Sequence, residues 1–200
     1  LAKSKIRASQ TSAKGECIMA VATELAPECE STLDPEKSYE LVNGQLEEKE
    51  MAGGKHGVIA ANLVGEIRNY LKTNKRGLVS VEVHFKIGQN ERIPDVAFVS
   101  AERIPDGGMP EGVAPFPPDL AIEVVSPNDV HDKLADKVLE YLDGGVKQVW
   151  LVSLKLQLIT IFRSPTEVKV FTGNSNLECE DLLPGFSCSL KEVFQTGLPD

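Results

Sequence analysis

The chain lacks any long hydrophobic run. A bilayer-spanning helix needs about 20 consecutive apolar residues, and the longest apolar segments here are only strand-length, so no membrane span is expected. It also lacks an excess of positive charge, with 21 Lys and Arg against 30 Asp and Glu and a net charge of −9. That balance argues against a protein that coats nucleic acid through a basic footprint. It does not argue against a nuclease, whose carboxylates bind metal before they meet phosphate. Cysteine is scarce. Cys17, Cys29, Cys179 and Cys188 fall into no CxxC pattern, which leaves free thiols in a cytoplasmic protein as the reading. The opening "LAKSKIRASQTSAKGECIMAVATELAPECE" carries basic residues but no continuous apolar core, so it does not read as a secretory signal. Residues 1–32 are expected to form a disordered or extended tail, and 33–200 a single domain. The one tryptophan, Trp150, is assigned to the core.

What is present is alternation. "YELVNGQLEEKE" reads as a short hairpin turned by Asn43-Gly44. "HGVIAANLVGEIRNYLKT" places Ile59, Leu63, Ile67, Tyr70 and Leu71 at helical spacing, with Gly77 as its stop. Val79, Val81, Val83, Phe85 and Ile87 alternate with polar residues and predict one half-buried strand over 79–87. "GQNER" would turn this strand antiparallel onto a partner over 93–99. The segment "ERIPDGGMPEGVAPFPP" is a loop long enough to be functional. A strand over 119–125, expected beside 93–99, ends at Ser126-Pro127, where Asn128 or Asp129 could cap a helix across 130–142. Gly144-Gly145 ends that helix. "KQVWLVSLKLQLITIFRS" supplies two more strands, "EVKVFT" another and "SLKEVF" a last short helix. The order predicts an α/β protein with a mixed sheet.

One feature of this pattern runs against burial. Glu123 stands among Ala121, Ile122, Val124 and Val125, and a carboxylate there costs several kcal/mol unless something positive or protic meets it. Asp95 shares a face with Ala97 and Val99, and Glu123 with Asp119, Ala121 and Val125. On spacing alone, Asp95 reads as a strand-start turn residue and Glu123 as an arginine partner, or the two carboxylates converge on one point. On the helix wheel of 130–142, Leu134, Val138, Tyr141 and Leu142 form the stripe. Lys137 lies at its edge beside Tyr141, while Lys133 and Asp136 point further out. From there Lys137 could lay its stem on the sheet and bring its ammonium over the strand end. Two carboxylates and a lysine suit phosphodiester hydrolysis assisted by a hard divalent ion.

Asp95 in "IPDVAFV", Glu123 in "DLAIEVVSPND", and "KVLEYLDGGVKQVWLV" with the later "LPGF" resemble the Uma-type endonucleases of the PD-(D/E)xK restriction-endonuclease-like superfamily, over about residues 36–194. The resemblance implies a restriction-endonuclease-like central mixed β-sheet flanked by helices. It also implies a Mg²⁺- or Mn²⁺-dependent site, DNA as substrate and a homodimer. Asp95 and Glu123 would be catalytic acids and metal ligands, with the Val124 carbonyl as a further ligand. The superfamily pattern wants a lysine where this chain has Val125. Uma-type relatives share that replacement and supply the lysine from the following helix, a position that Lys137 matches. "WLVSL" also departs from the Asp-Pro usual in relatives and reads as a turn variation.

Other polar residues have plainer readings. His56 is taken as a helix-start capping or packing residue. Glu66, inside the first helix's stripe, and Glu40 are acids that could lie behind the site, and both are left out of it. The leading function is a metal-dependent DNA endonuclease. Its rival is a catalytically idle relative that binds nucleic acid or acts as a scaffold, which the acidic charge and Val125 favour.

Overall fold

The computed structural model describes residues 33–126 and 131–198. The tail expected over 1–32 and the capping residues Asn128 and Asp129 lie outside the described residues. The chain divides into two units, 1–37 and 38–200. Of the first, 33–37 form a turn in which Asp34 Oδ1 accepts from the Glu36 amide at 3.0 Å.

The second unit begins with β1 (Tyr39–Val42) and β2 (Gln45–Glu48). Asn43 and Gly44 join them with φ of 51° and 77°, both in the left-handed region that a two-residue type I′ turn requires. Helix α1 (Gly54–Thr73) buries Ile59, Leu63 and Ile67. It ends at Thr73, four residues before Gly77, where the Asn74 amide closes on the Tyr70 carbonyl at 3.1 Å. Gly77 serves instead as the first residue of β3 (Gly77–Val81). A Cβ at that position would stand 2.1 Å from the Val99 carbonyl oxygen, so it is close strand pairing that demands glycine here.

The strand expected over 79–87 is two strands in two sheets. β3 stops at Val81, Glu82 adopts a φ of 51°, and β4 (Phe85–Ile87) pairs with β5 (Asn90–Arg92). β3 itself pairs antiparallel with β6 (Val96–Ser100), so the antiparallel relation holds while the continuous hairpin does not. The exposure pattern follows from this break. Val81 is 50% exposed, whereas Phe85 and Ile87 are buried in the second core.

β7 (Leu120–Val125) lies beside β6 as expected, antiparallel. Helix α2 (His131–Asp143) then crosses to β8 (Gln148–Ser153), which pairs parallel with β7. β9 (Leu158–Phe162) and β10 (Val168–Thr172) complete a six-stranded mixed sheet in the order β10-β9-β8-β7-β6-β3. A four-stranded sheet, β2-β1-β5-β4, and a small pair, β11 (Asn176–Glu178) with β12 (Ser187–Ser189), accompany it. The chain's last helix is α3 (Leu190–Val193).

Alternation along the central strands sends side chains into two cores. Ile122 and Val124 pack with Ile59, Leu63, Ile67 and Trp150 on the α1 side. Ala97, Val99 and Ala121 pack with Val138 and Tyr141 on the α2 side. Asp119, just before β7, is fully buried and ties the 102–118 loop through Arg103, the Ser100 amide and Lys147. Among the described residues no helix is long and apolar enough to cross a membrane.

Cys179 and Cys188 are free and buried. Burial pushes the Cys179 thiol up to about 11 and the Cys188 thiol up to about 12. Because the thiolate is the reactive form, both should resist iodoacetamide at neutral pH in the folded protein and react after guanidinium unfolding. Peptide mass spectrometry reads the difference, and labelling of either in the native protein would contradict this packing.

Candidate active site

β6 and β7 pair Ala97 with Ala121, and the same register carried two residues further sets Asp95 opposite Glu123. Both side chains leave the sheet on the α2 side, the face of Ala97 and Ala121, because strand residues two apart share a face. The α2 stripe supplies what meets Glu123. Tyr141 donates its hydroxyl to Glu123 Oε1 at 2.6 Å, and Lys137 Nζ stands 3.0 Å from the same oxygen. Lys137 and Tyr141 are four residues apart and therefore neighbours on one helix face. Lys133 and Asp136 are exposed.

Burial pushes the Glu123 carboxyl up. The charges of Asp95 and Glu40 add to the rise, and Lys137 and the Tyr141 hydroxyl oppose it without cancelling it. For Lys137 burial pulls the other way, but Glu123 and Glu40 outweigh it and keep the ammonium above its usual range.

Asp95 is more heavily supported. Its Oδ1 meets Lys49 Nζ at 3.0 Å, and its Oδ2 accepts from the Val124 amide at 2.7 Å and meets His56 Nε2 at 3.0 Å. Burial alone would raise this carboxyl. The His56 hydrogen bond, the Lys49 charge and the Val124 amide bring it down to about 2 instead. His56 is raised in turn, first by that hydrogen bond and against its own burial.

The two lysines differ in what they have left to give. Lys49 Nζ reaches Glu82 Oε2 and the Ile93 carbonyl at 2.8 Å each as well as Asp95, three acceptors for its three protons. Lys137 has one close partner in Glu123 and a looser one in Glu40 Oε1 at 3.4 Å. It lines a cleft of about 480 Å³ together with Glu40, Asp95, His56 and Val124. Of the two lysines that meet the buried acids, Lys137 is the one with a donor to spare among the described contacts.

Glu40 belongs to the same cluster. Its Oε1 accepts from the Ile93 amide at 2.8 Å and its Oε2 pairs with Arg92 Nη1 at 2.9 Å. Burial would raise its carboxyl too, but Lys137, the Ile93 amide and Arg92 prevail and lower it. Arg92 also grips Glu140 of α2 through Nε and Nη2.

Glu40, Asp95, Glu123 and Glu140 thus face three permanent cations, Lys49, Arg92 and Lys137. The cluster is short of positive charge, and the neighbouring carboxylates Asp95 and Glu40 add to the rise that burial imposes on Glu123. Among the described residues no three Asp, Glu, His or Cys side chains gather as a ready-made metal cage. Magnesium does not require one, since it keeps several waters and takes one or two carboxylates. The residues present therefore fit a small hard cation.

The structure brings Asp95, Glu123 and Lys137 into one cluster. Val124 adds its amide on Asp95. Val125, in the position of the missing lysine, is half-buried. Glu66 is half-buried on α1 and does not line the cleft. The sequence reading missed Lys49 and Arg92, took Tyr141 as core only, and set aside His56 and Glu40. A signal existed for Tyr141, which sits one helical turn from Lys137 on the stripe.

A six-stranded mixed sheet with a helix on each face, and two acids at the adjoining ends of neighbouring strands, define the restriction-endonuclease-like class of fold. The crystal structure of a "putative nuclease belonging to DUF820" from Anabaena variabilis ATCC 29413 matches with a TM-score of 0.71 and 25% identity, covering 80% of this chain and 90% of that one. The model of the family Uma2, described as "Putative restriction endonuclease", matches residues 26–191, and the chain belongs to that family. No curated protein matches the chain.

Proposed function

We propose that this protein is a metal-dependent DNA endonuclease that hydrolyses phosphodiester bonds. The observation that carries the reading is the meeting of Lys137 with Glu123, 3.0 Å apart, at the end of the strand that neighbours Asp95. Family and fold neighbour supply the nuclease class. Asp95 and Glu123, with the Val124 carbonyl, would hold Mg²⁺ or Mn²⁺. Such an ion, when bound, polarises the scissile phosphate and lowers the pKa of a coordinated water.

The remaining work falls to the chain. The Val124 amide fixes Asp95, and the Tyr141 hydroxyl fixes Glu123. Both described bonds to Glu123 lie on Oε1, and Glu123 would hold the ion through its carboxylate. Lys137 has a proton to spare to orient the attacking water or to offset charge on the phosphate in the transition state. The free buried thiols suit a reducing, cytoplasmic setting. The resemblance to dimeric relatives adds a homodimer, which light scattering checks.

One observation favours the idle, nucleic-acid-binding alternative: Asp95 already has Lys49, His56 and the Val124 amide as partners. Plasmid nicking in Mg²⁺ and Mn²⁺, with calorimetry of metal binding to wild type and Glu123→Ala, separates the two. Metal-dependent nicking, with the binding heat lost in Glu123→Ala, is the expected result. Metal-independent silence of the wild type would overturn the proposal.

A further inference from the structure

Arg92 stands at the end of β5, is only 8% exposed, and its described hydrogen bonds and ion pairs go to Glu40 and Glu140 rather than to Asp95, Glu123 or Val124. Its guanidinium forks onto Glu140 through Nε, at 2.8 Å, and Nη2, and its remaining arm reaches Glu40 Oε2 at 2.9 Å. A planar fork on a carboxylate fixes orientation as well as distance. Glu140 follows Lys137 by three residues, so both look out from one side of α2. The next residue, Tyr141, is held by Glu123. The helix is therefore pinned at two consecutive positions, Glu140 by Arg92 of the four-stranded sheet and Tyr141 by Glu123 of the six-stranded one. The other arm matters equally, because Glu40 receives Arg92 on one oxygen and Lys137 on the other. Arg92 thus controls both the helix that carries the lysine and the second carboxylate that steers its ammonium.

We infer that Arg92 is a positioning residue that delivers Lys137 to Glu123, through Glu140 on the helix and Glu40 beside the ammonium. The inference rests on the nuclease reading for its kinetic consequence but not for its geometry. Arginine is required, because lysine preserves the charge without the fork.

The test uses Arg92→Lys, each alone and combined with Lys137→Ala, and Glu140→Gln as a second variant that leaves the Arg92–Glu40 pair in place. In the Lys137-containing protein, either variant should lower kcat for nicking by about 10-fold with KM little changed, since a displaced catalytic group costs rate rather than binding. In the Lys137→Ala background the same changes should cost less than about 2-fold, because a residue acting through Lys137 has nothing left to position. Equal losses in both backgrounds, or no loss in either, would overturn the inference. A second readout is independent of cleavage: acetic anhydride labelling of the Lys137 amine, followed by mass spectrometry on proteins with native circular dichroism. Labelling should rise by several-fold in Arg92→Lys and Glu140→Gln, and unchanged labelling in both would overturn the clamp. If the wild type does not nick DNA, the nuclease reading fails alone and the labelling decides the clamp.

Discussion

Lys137→Ala should nick DNA on the order of 10²-fold more slowly than wild type, the usual consequence of removing a charge-stabilising or water-orienting group. Metal binding should survive largely intact, because the acids and not the lysine would hold the ion. The geometry separates these two effects: Lys137 approaches Glu123 on Oε1, the oxygen that Tyr141 also holds. Removing the ammonium leaves the hydroxyl to keep the carboxylate in place. Val125 then offers a way to move the charge. It is half-buried, pairs with Ser153 and follows Glu123 by two residues on the same face of β7. Val125→Lys in the Lys137→Ala background should recover part of the rate, provided the strand end tolerates the charge. Nicking rates of the wild type, the single and the double variant decide it. Wild-type cleavage by Lys137→Ala would end the migrated-lysine assignment.

The central part of this site was legible because it depends only on periodicity. A strand's period of two puts Asp95 with Ala97 and Glu123 with Ala121 whatever the strands do elsewhere, and a helix's period of 3.6 puts Lys137 beside Tyr141. Once β6 and β7 are neighbours, convergence follows. Lys49, His56 and Arg92 reach the site from a loop, a helix start and a second sheet, and no period relates those places to one another.

The broken strand has a different cause. Alternation from Val79 to Ile87 counts parity, and parity is preserved when a chain leaves one sheet and enters the next. Only the left-handed backbone at Glu82 marks the departure, and glutamate gives no compositional warning of it. The Lys49 ammonium beside the Glu82 carboxylate, at 2.8 Å, joins that bend to the segment after β2. The three-residue strands β11 and β12 are too short to show a period at all.

The second large effect concerns Asp95, whose support makes it a stability element as well as a proposed ligand. Asp95→Asn should abolish the heat of metal binding, since a neutral amide is a poor substitute for a carboxylate toward a hard divalent ion. It should also cost about 2 kcal/mol of folding stability at neutral pH, the linkage equivalent of a carboxyl moved from 3.8 to about 2. The sign is fixed by the direction of the shift. A folded pKa below the unfolded one means stability that is complete above 3.8 and drains away as the pH falls through about 2. His56 contributes the opposite slope, because its raised pKa gives stability that is present below 6.5 and lost as the pH climbs through the higher folded value. Asparagine still offers an oxygen to the Val124 amide but removes the charge behind both slopes. Urea unfolding of wild type and Asp95→Asn from about pH 2 to pH 8 should therefore show the two proteins nearly equal at the acid end and furthest apart around pH 5 to 6. The gap should narrow again where His56 becomes neutral. An Asp95→Asn protein that keeps the wild-type acid slope would show that the Asp95–Lys49–His56 cluster is not what holds this end of the sheet.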